Sequence, residues 1–200
     1  MSATIGDYAS VRAGHPFRGT VPEDRDGPAI VVQMRDVSPL DGINWDNTVR
    51  ANLHTRKEPD WLQPGDIIFV ARGARNYAFC IDELPGPAVC SQYFFLIRLH
   101  QADTMLAEFL AWQINQMPAQ RYLTKNAEGT DQRSIRRGVL EALPITVPSL
   151  EQQRKVVALA GMARQERKLM ESLIQNRDLQ MRALVTRLLN INDLNETSRA

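Results

Sequence analysis

Arginines in two polar stretches are the residues best suited to do chemistry here, and that chemistry is recognition. Arginine supplies 20 of the 24 basic residues. A guanidinium fork hydrogen-bonds guanine or phosphate in a bidentate fashion that an ammonium cannot match. The first stretch, Arg72, Arg75, Asn76 and Tyr77, follows an apolar strand. The second, Lys125 to Ser134 (KNAEGTDQRS), has no apolar periodicity and reads as an exposed polar loop. Its donors are Lys125, Asn126, Gln132, Arg133 and Ser134. These residues are candidates for reading bases, whereas Arg136 and Arg137 suit phosphates, which position a protein without reading sequence. Phe17-Arg18, between Gly14 and Gly19, is a further candidate contact. Each has an ordinary alternative as a solvated loop residue, a turn or a structural salt bridge.

Catalytic patterns are missing. The chain has no GxGxxG, P-loop, HExxH or CxxC. His15, His54 and His100 are scattered without ligand spacing. Pro59-Asp60 upstream of Glu166-Arg167-Lys168 has a nuclease-like ring, but the triplet falls inside a long helix where such charges face solvent. No metal site is expected.

The elements that must carry these loops follow from composition and pattern. A hydrophobic fraction of 44% with 24% charged residues is globular. No apolar run is long enough to span a membrane, and MSATIGDYAS has neither half of a secretion signal. Cys80 and Cys90 lie in apolar runs and read as reduced core thiols, which fits a cytoplasmic protein. The net charge of +1 hides a division. Residues 1–149 hold 15 basic and 17 acidic residues, a net of −2, whereas residues 150–190 hold 8 and 4, a net of +4. Residues 120–137 carry a local net of +3, from five basic side chains against Glu128 and Asp131.

Up to about residue 100 the pattern is strand and turn. Strands are expected over Ala29–Val37, Ile67–Ala71 after the Pro64-Gly65 turn, Tyr77–Ile81 and Ala88–Leu99. Phe109, Leu110, Ile114 and Met117 share a helix face, Pro118 can open a second short helix through Leu123, and Ile145–Val147 reads as a closing strand. The fold class is α+β: a mixed or mostly β sheet with short helices, followed by one long C-terminal helix that pairs as a coiled coil.

Ser149 with Gln152 three residues on is a capping box. Beyond it, Val156, Ala160, Ala163, Met170, Ile174, Met181, Leu184, Leu188 and Ile191 follow alternating four- and three-residue steps, with Arg167 and Arg177 the polar members of the seam. A helix of roughly 40 residues is about 60 Å long. A 150-residue domain cannot cover such a rod, so its far half needs a partner helix. The division is therefore 1–148 for a recognition domain, 149–192 for a spacer and dimerisation helix, and 193–200 for a flexible tail.

Six stretches, in order, resemble the specificity subunits of type I restriction-modification systems. Pro64 to Gly73 (PGDIIFVARG) is similar to that family's "GDILFxxRG" strand and loop, and Ala88 to Phe95 to the strand after it. Phe109-Leu110-Ala111-Trp112, Asn115 and Gln120-Arg121-Tyr122-Leu123 resemble its paired helices, and Asn126 to Thr130 its polar loop. Leu140 to Ile145, continuing through Pro148 to Gln153, resembles the approach to its conserved helix. Members typically carry two target-recognition domains and two long helices, so this chain resembles a half-subunit that would need a second copy; a truncated product or fragment is the alternative.

The resemblance implies a non-catalytic DNA-reading subunit. Double-stranded DNA, a modification (methyltransferase) subunit using S-adenosylmethionine and a restriction (translocase and nuclease) subunit using ATP and Mg would be its partners. None of these cofactors is expected on this chain. Two related halves joined through a helical spacer would read a bipartite site. Two other classes stay open: a protein-binding adaptor or regulator that reads no DNA, and a stand-alone metal-dependent nuclease.

Overall fold

The computed structural model describes residues 3–53, 58–100, 103–129 and 133–197, with side chains through Leu189. The chain divides into two compact units, Met1–Ala158 and Leu159–Ala200.

In the first unit, β1 (Ala3–Thr4) leads through one helical turn, α1 (Ile5–Tyr8), into β2 (Ala9–Ala13). After a long loop come β3 (Ala29–Val32), β4 (Val37–Ser38), β5 (Gly42–Ile43) and β6 (Val49–Ala51). The apolar runs then form β7 (Ile67–Val70), β8 (Arg72–Gly73), β9 (Ala78–Cys80), β10 (Ala88–Cys90) and β11 (Phe94–Leu99). The helical part holds α2 (Ala107–Ile114), α3 (Met117–Asn126), β12 (Arg133–Ser134), α4 (Arg137–Glu141), β13 (Pro144–Ile145) and α5 (Leu150–Thr197).

The main sheet has the order β2-β11-β7-β9, antiparallel throughout, and a second sheet has the order β10-β3-β6. Every residue of β7 is buried, and alternation along the strand explains why. Ile67 and Phe69 join a core with Ile97, Phe109, Leu110, Ile114, Leu123 and Leu140, beneath the helices. Ile68 and Val70 join the other core, with Ile30, Val32, Phe94 and Leu96, against the second sheet. The far face of that sheet packs Val31 and Val89 against Phe17, Val21 and Trp61. Helices, sheet and sheet thus form successive layers of an α+β unit.

Several expected elements are shorter or divided. The strand expected over Ala29–Val37 stops at Val32, because the Asp36 carboxylate accepts from Gln33 N at 2.8 Å and turns Met34–Asp36 into a 3-10 helix. The run Ala88–Leu99 is two strands in different sheets. Ser91–Tyr93 breaks it, and Gly14 presses against that corner so closely that a Cβ there would lie 2.1 Å from Ser91 O. The second helix runs Met117–Asn126 rather than ending at Leu123, and the closing strand is Pro144–Ile145 rather than Ile145–Val147.

The capping box forms as read: Gln152 N donates to Ser149 Oγ at 3.4 Å, and Ser149 N to Gln152 Oε1 at 3.1 Å. Gln153, fully buried, fastens the first turn of α5. Its Oε1 accepts from Leu106 N, and its Nε2 donates to Thr104 O and Pro148 O, each at 2.8 Å.

In the second unit α5 continues to Thr197, past the end expected at Asn192. Leu159, Met162, Leu169, Met170, Leu173, Ile174, Met181, Leu184 and Leu188 are all at least half exposed there. Ala163 is exposed as well, and Ala160 is half-buried. Val156 differs from the rest of the seam. It lies before the boundary and is half-buried against the first core.

Candidate nucleic-acid interface

The two arginine-bearing stretches, some sixty positions apart in sequence, meet in a short antiparallel ribbon. β8 pairs with β12 in the register Arg72↔Ser134 and Gly73↔Arg133. Ile135, buried, anchors the return strand through its N–H to Ala71 O at 2.9 Å. Glu128 extends the ribbon: Glu128 N donates to Ser134 O at 2.9 Å and Ser134 N to Glu128 O at 2.8 Å. Paired residues share a face, so Arg72 lies with Ser134 while Arg133 lies on the side of Gly73. Gly73 has φ +151°, and a Cβ there would stand 3.3 Å from Met34 Cε. That backbone conformation and that close neighbour explain the glycine after Arg72.

Arg72, Arg75, Arg133 and Lys125 are exposed and make no ion pair among the described residues. Lys125 and Asn126 stand on the last turn of α3 instead of in a loop, and Asn126 Nδ2 donates back to Tyr122 O at 2.8 Å. Gln132 lies outside the described residues, as does His54.

Asn76 is buried, and its Nδ2 donates to Val70 O at 2.9 Å and Ala71 O at 3.2 Å, so its amide N–H groups brace the loop. Tyr77 is half-buried against the second core, near Phe79, and burial pushes its phenol pKa up. Arg136 and Arg137 are both exposed but both engaged, Arg136 with Glu128 and Arg137 with Glu141.

Tyr93 escaped the reading of the sequence. It is exposed, and its carbonyl accepts from Ala71 N at 2.9 Å and Arg72 N at 3.3 Å, which fixes it beside the ribbon. In the same turn Gln92 Oε1 accepts from Phe17 N at 3.1 Å, tying the Gly14–Gly19 loop to it. The signal was the polar pair Ser91-Gln92 interrupting an apolar run.

Other groups have structural work. Asp66 of the PGDIIF run is buried and takes a bidentate pair from Arg98, whose Nε and Nη2 reach it at 2.7 and 2.6 Å. That hydrogen bonding raises the guanidinium pKa further. Asp60 pairs with Arg12. His15 stacks edge-on with Phe17, and desolvation lowers its pKa. Cys80 and Cys90 are free thiols, both pushed up to about 12, chiefly by burial. Cys80, Asp82 and Glu108 bring potential metal ligands within 4.8 Å of one another. Burial, and then Glu108 and Asp82, favour the protonated thiol when no cation is bound. No helix among the described residues is long and apolar enough to cross a membrane.

The family profile of the type I restriction modification DNA specificity domain matches residues 31–160. No curated protein matches the chain. Among solved structures, the type I restriction-modification S subunit from M. genitalium superposes with a TM-score of 0.59 at 15% identity, over 88% of this chain and 41% of that one. A chain from a study of complex assembly and conformational transition in the type I R-M system gives 0.66 at 16% identity, over 92% and 43%. The HsdS subunit from Thermoanaerobacter tengcongensis gives 0.53 at 16%, over 83% and 37%. At such identities the likeness is one of fold. The chain spans less than half the length of each of these structures.

Proposed function

This chain belongs to the type I restriction modification DNA specificity family, and from that premise we propose that it reads a DNA sequence for partner enzymes and catalyses nothing itself. The observation that carries the reading is the ribbon, which brings Arg72 and Arg133 from distant stretches onto its two faces, with Tyr93 beside it. A two-stranded ribbon fits the major groove, where arginine distinguishes guanine. In this proposal a modification subunit supplies methyl transfer from S-adenosylmethionine. A restriction subunit supplies ATP- and Mg-dependent translocation and cleavage. A second copy of this chain pairs along the exposed face of α5 from Met170 to Leu188, giving a bipartite, palindromic site.

Methylation mapping in cells that carry this chain with a modification subunit tests the proposal. An interrupted palindrome is expected. Inserting one heptad after Ile174 should lengthen the paired rod by about 10 Å and widen the gap by about three base pairs, leaving the half-sites unchanged. Arg133→Ala should relax preference at one position, whereas Arg137→Ala should weaken all sequences alike and flatten the salt dependence. Binding to the modification subunit with no salt-dependent DNA affinity would instead favour a protein-only adaptor.

A further inference from the structure

We infer that Arg136 reads a guanine and that Glu128 is the residue that aims it. The inference rests on the proposal that this chain reads DNA, and it moves Arg136 from the phosphates, where the sequence alone put it, to a base edge.

A guanidinium offers two in-plane pairs of N–H groups. One pair is on its side, from Nε and Nη2, and the other is at its end, from Nη1 and Nη2. Glu128 occupies the side pair completely: Oε2 accepts from Nε at 2.9 Å, and Oε1 lies 2.6 Å from Nη2. The end pair has no partner among the described residues. A carboxylate on the side of the fork sets the plane of the guanidinium and leaves the end pointing outward. O6 and N7 of guanine present in the major groove the two acceptors that such an end-on pair matches.

Both ends of the ion pair stand on fixed backbone. Glu128 is bonded in both directions to Ser134, which pairs with Arg72. Arg136 is the N-cap of α4, and its carbonyl accepts from Val139 N at 3.0 Å and Leu140 N at 3.2 Å. Between them Ile135 is buried and tied to Ala71. Arg136 therefore stands beside the ribbon with its fork biased toward one orientation before DNA arrives, the pair being exposed at 71% and 51%, and a reader held even part-way loses less freedom on binding. Arg137 makes the contrast: its closest approach to Glu141, Nε to Oε1 at 3.4 Å, is longer than either Glu128 contact and lies within one turn of the same helix. A loosely held charge suits a phosphate, whereas a braced fork suits a base.

The test offers a pool of random duplexes to the full chain assembled with its modification subunit, and sequences the bound fraction. Three variants accompany the parent: Arg136→Lys, Arg136→Ala and Glu128→Gln. The parent should enrich a site with at least one guanine preferred roughly ten- to a hundred-fold over other bases. Arg136→Lys keeps the charge but loses the fork. It should erase that preference while the rest of the site and the salt dependence stay as in the parent. Glu128→Gln should keep the same guanine with a preference reduced several-fold.

Other results overturn the inference. If Arg136→Lys retains the full site, or Arg136→Ala lowers binding evenly across all sequences, the residue holds a phosphate. If Glu128→Gln strengthens binding to every duplex alike, the carboxylate competes with DNA instead of aiming the arginine. A parent complex that assembles yet enriches no sequence would defeat the proposed DNA reading itself, an outcome distinct from all of these.

Discussion

Ile68, Phe69 and Ile97 in the first unit and Leu173, Ile174 and Leu188 in the second have similar affinities for an apolar environment, yet the first three are fully buried and the second three are more than 60% exposed. Each side chain of this size gains about 1.5–3 kcal/mol on burial. Residues 3–158 collect that gain within one chain, from strands that bury both faces. Residues 159–189 hold the same kind of side chain on one continuous helix, where it stays exposed within this chain; in the pairing proposed above, a second molecule would cover it. The difference separates two kinds of stability. The sheet unit should unfold at a point independent of protein concentration, and pairing along α5 should follow mass action.

Phe69→Ala should have the largest effect on the fold, since it removes a fully buried ring from the central strand. A loss of about 3–5 kcal/mol is expected in urea unfolding. A loss below about 1 kcal/mol would mean that the sheet core is not what holds this unit together. Gln153→Ala comes next, at about 1–3 kcal/mol, because Leu106 N and the carbonyls it serves would lose their buried partner. The same melt should show it, and a neutral result would mean that water replaces the amide.

Asp36 sharpens the comparison from the polar side, with a smaller effect. Burial raises its pKa, while the Gln33 N–H bond and Arg35 work the other way. The folded chain therefore holds this proton more tightly than the unfolded chain does. Stability from that difference is full in acid and is lost as pH rises from the ordinary carboxylate value through the raised one. Asp36→Asn should be more stable than the parent at neutral pH, with the gap closing in acid. A gap that widens in acid would reverse the sign.

Least affected should be the fold of the Leu184→Glu, Leu188→Glu double variant, whose sheet unit should unfold within about 0.5 kcal/mol of the parent. Its sedimentation should nevertheless change from dimer or complex to monomer, because charge would enter the paired seam. A parent that is monomeric both alone and with its modification subunit would break the comparison outright.

Local signals were the ones legible in advance. The Ser149–Gln152 capping box, the apolar run at Ile67–Val70 and the helix opened by Pro118 each depend on neighbours within a few residues. Pairing between Arg72–Gly73 and Arg133–Ser134 was not legible, because two-residue strands have no periodicity and their partners are far apart in the chain. Ala88–Leu99 looked like one strand because both sheets demand apolar residues there, and the polar pair Ser91-Gln92 is the local mark of the corner that divides them. Asn76 looked like a reader because polar residues near arginines usually face solvent; its burial depends on two carbonyls, at Val70 and Ala71, that no pattern announces. The candidate surface was thus found as a set of loops, while the ribbon that orders them was not.

The pairing of β1 with β13 sets Ala3 opposite Ile145 and Thr4 opposite Pro144, and Ile5 N donates to Leu143 O at 3.1 Å. The first and last strands of the first unit therefore meet at one place. Everything between those two points is a cassette whose ends already meet, and a stretch put in its place must still offer Gln153 the Leu106 N and Thr104 O partners it has here. Recombination at the two corresponding points in a gene would exchange all the candidate loops together, Arg72 with Arg133 and Glu128 with Arg136, and would leave the sequence of α5 as it was.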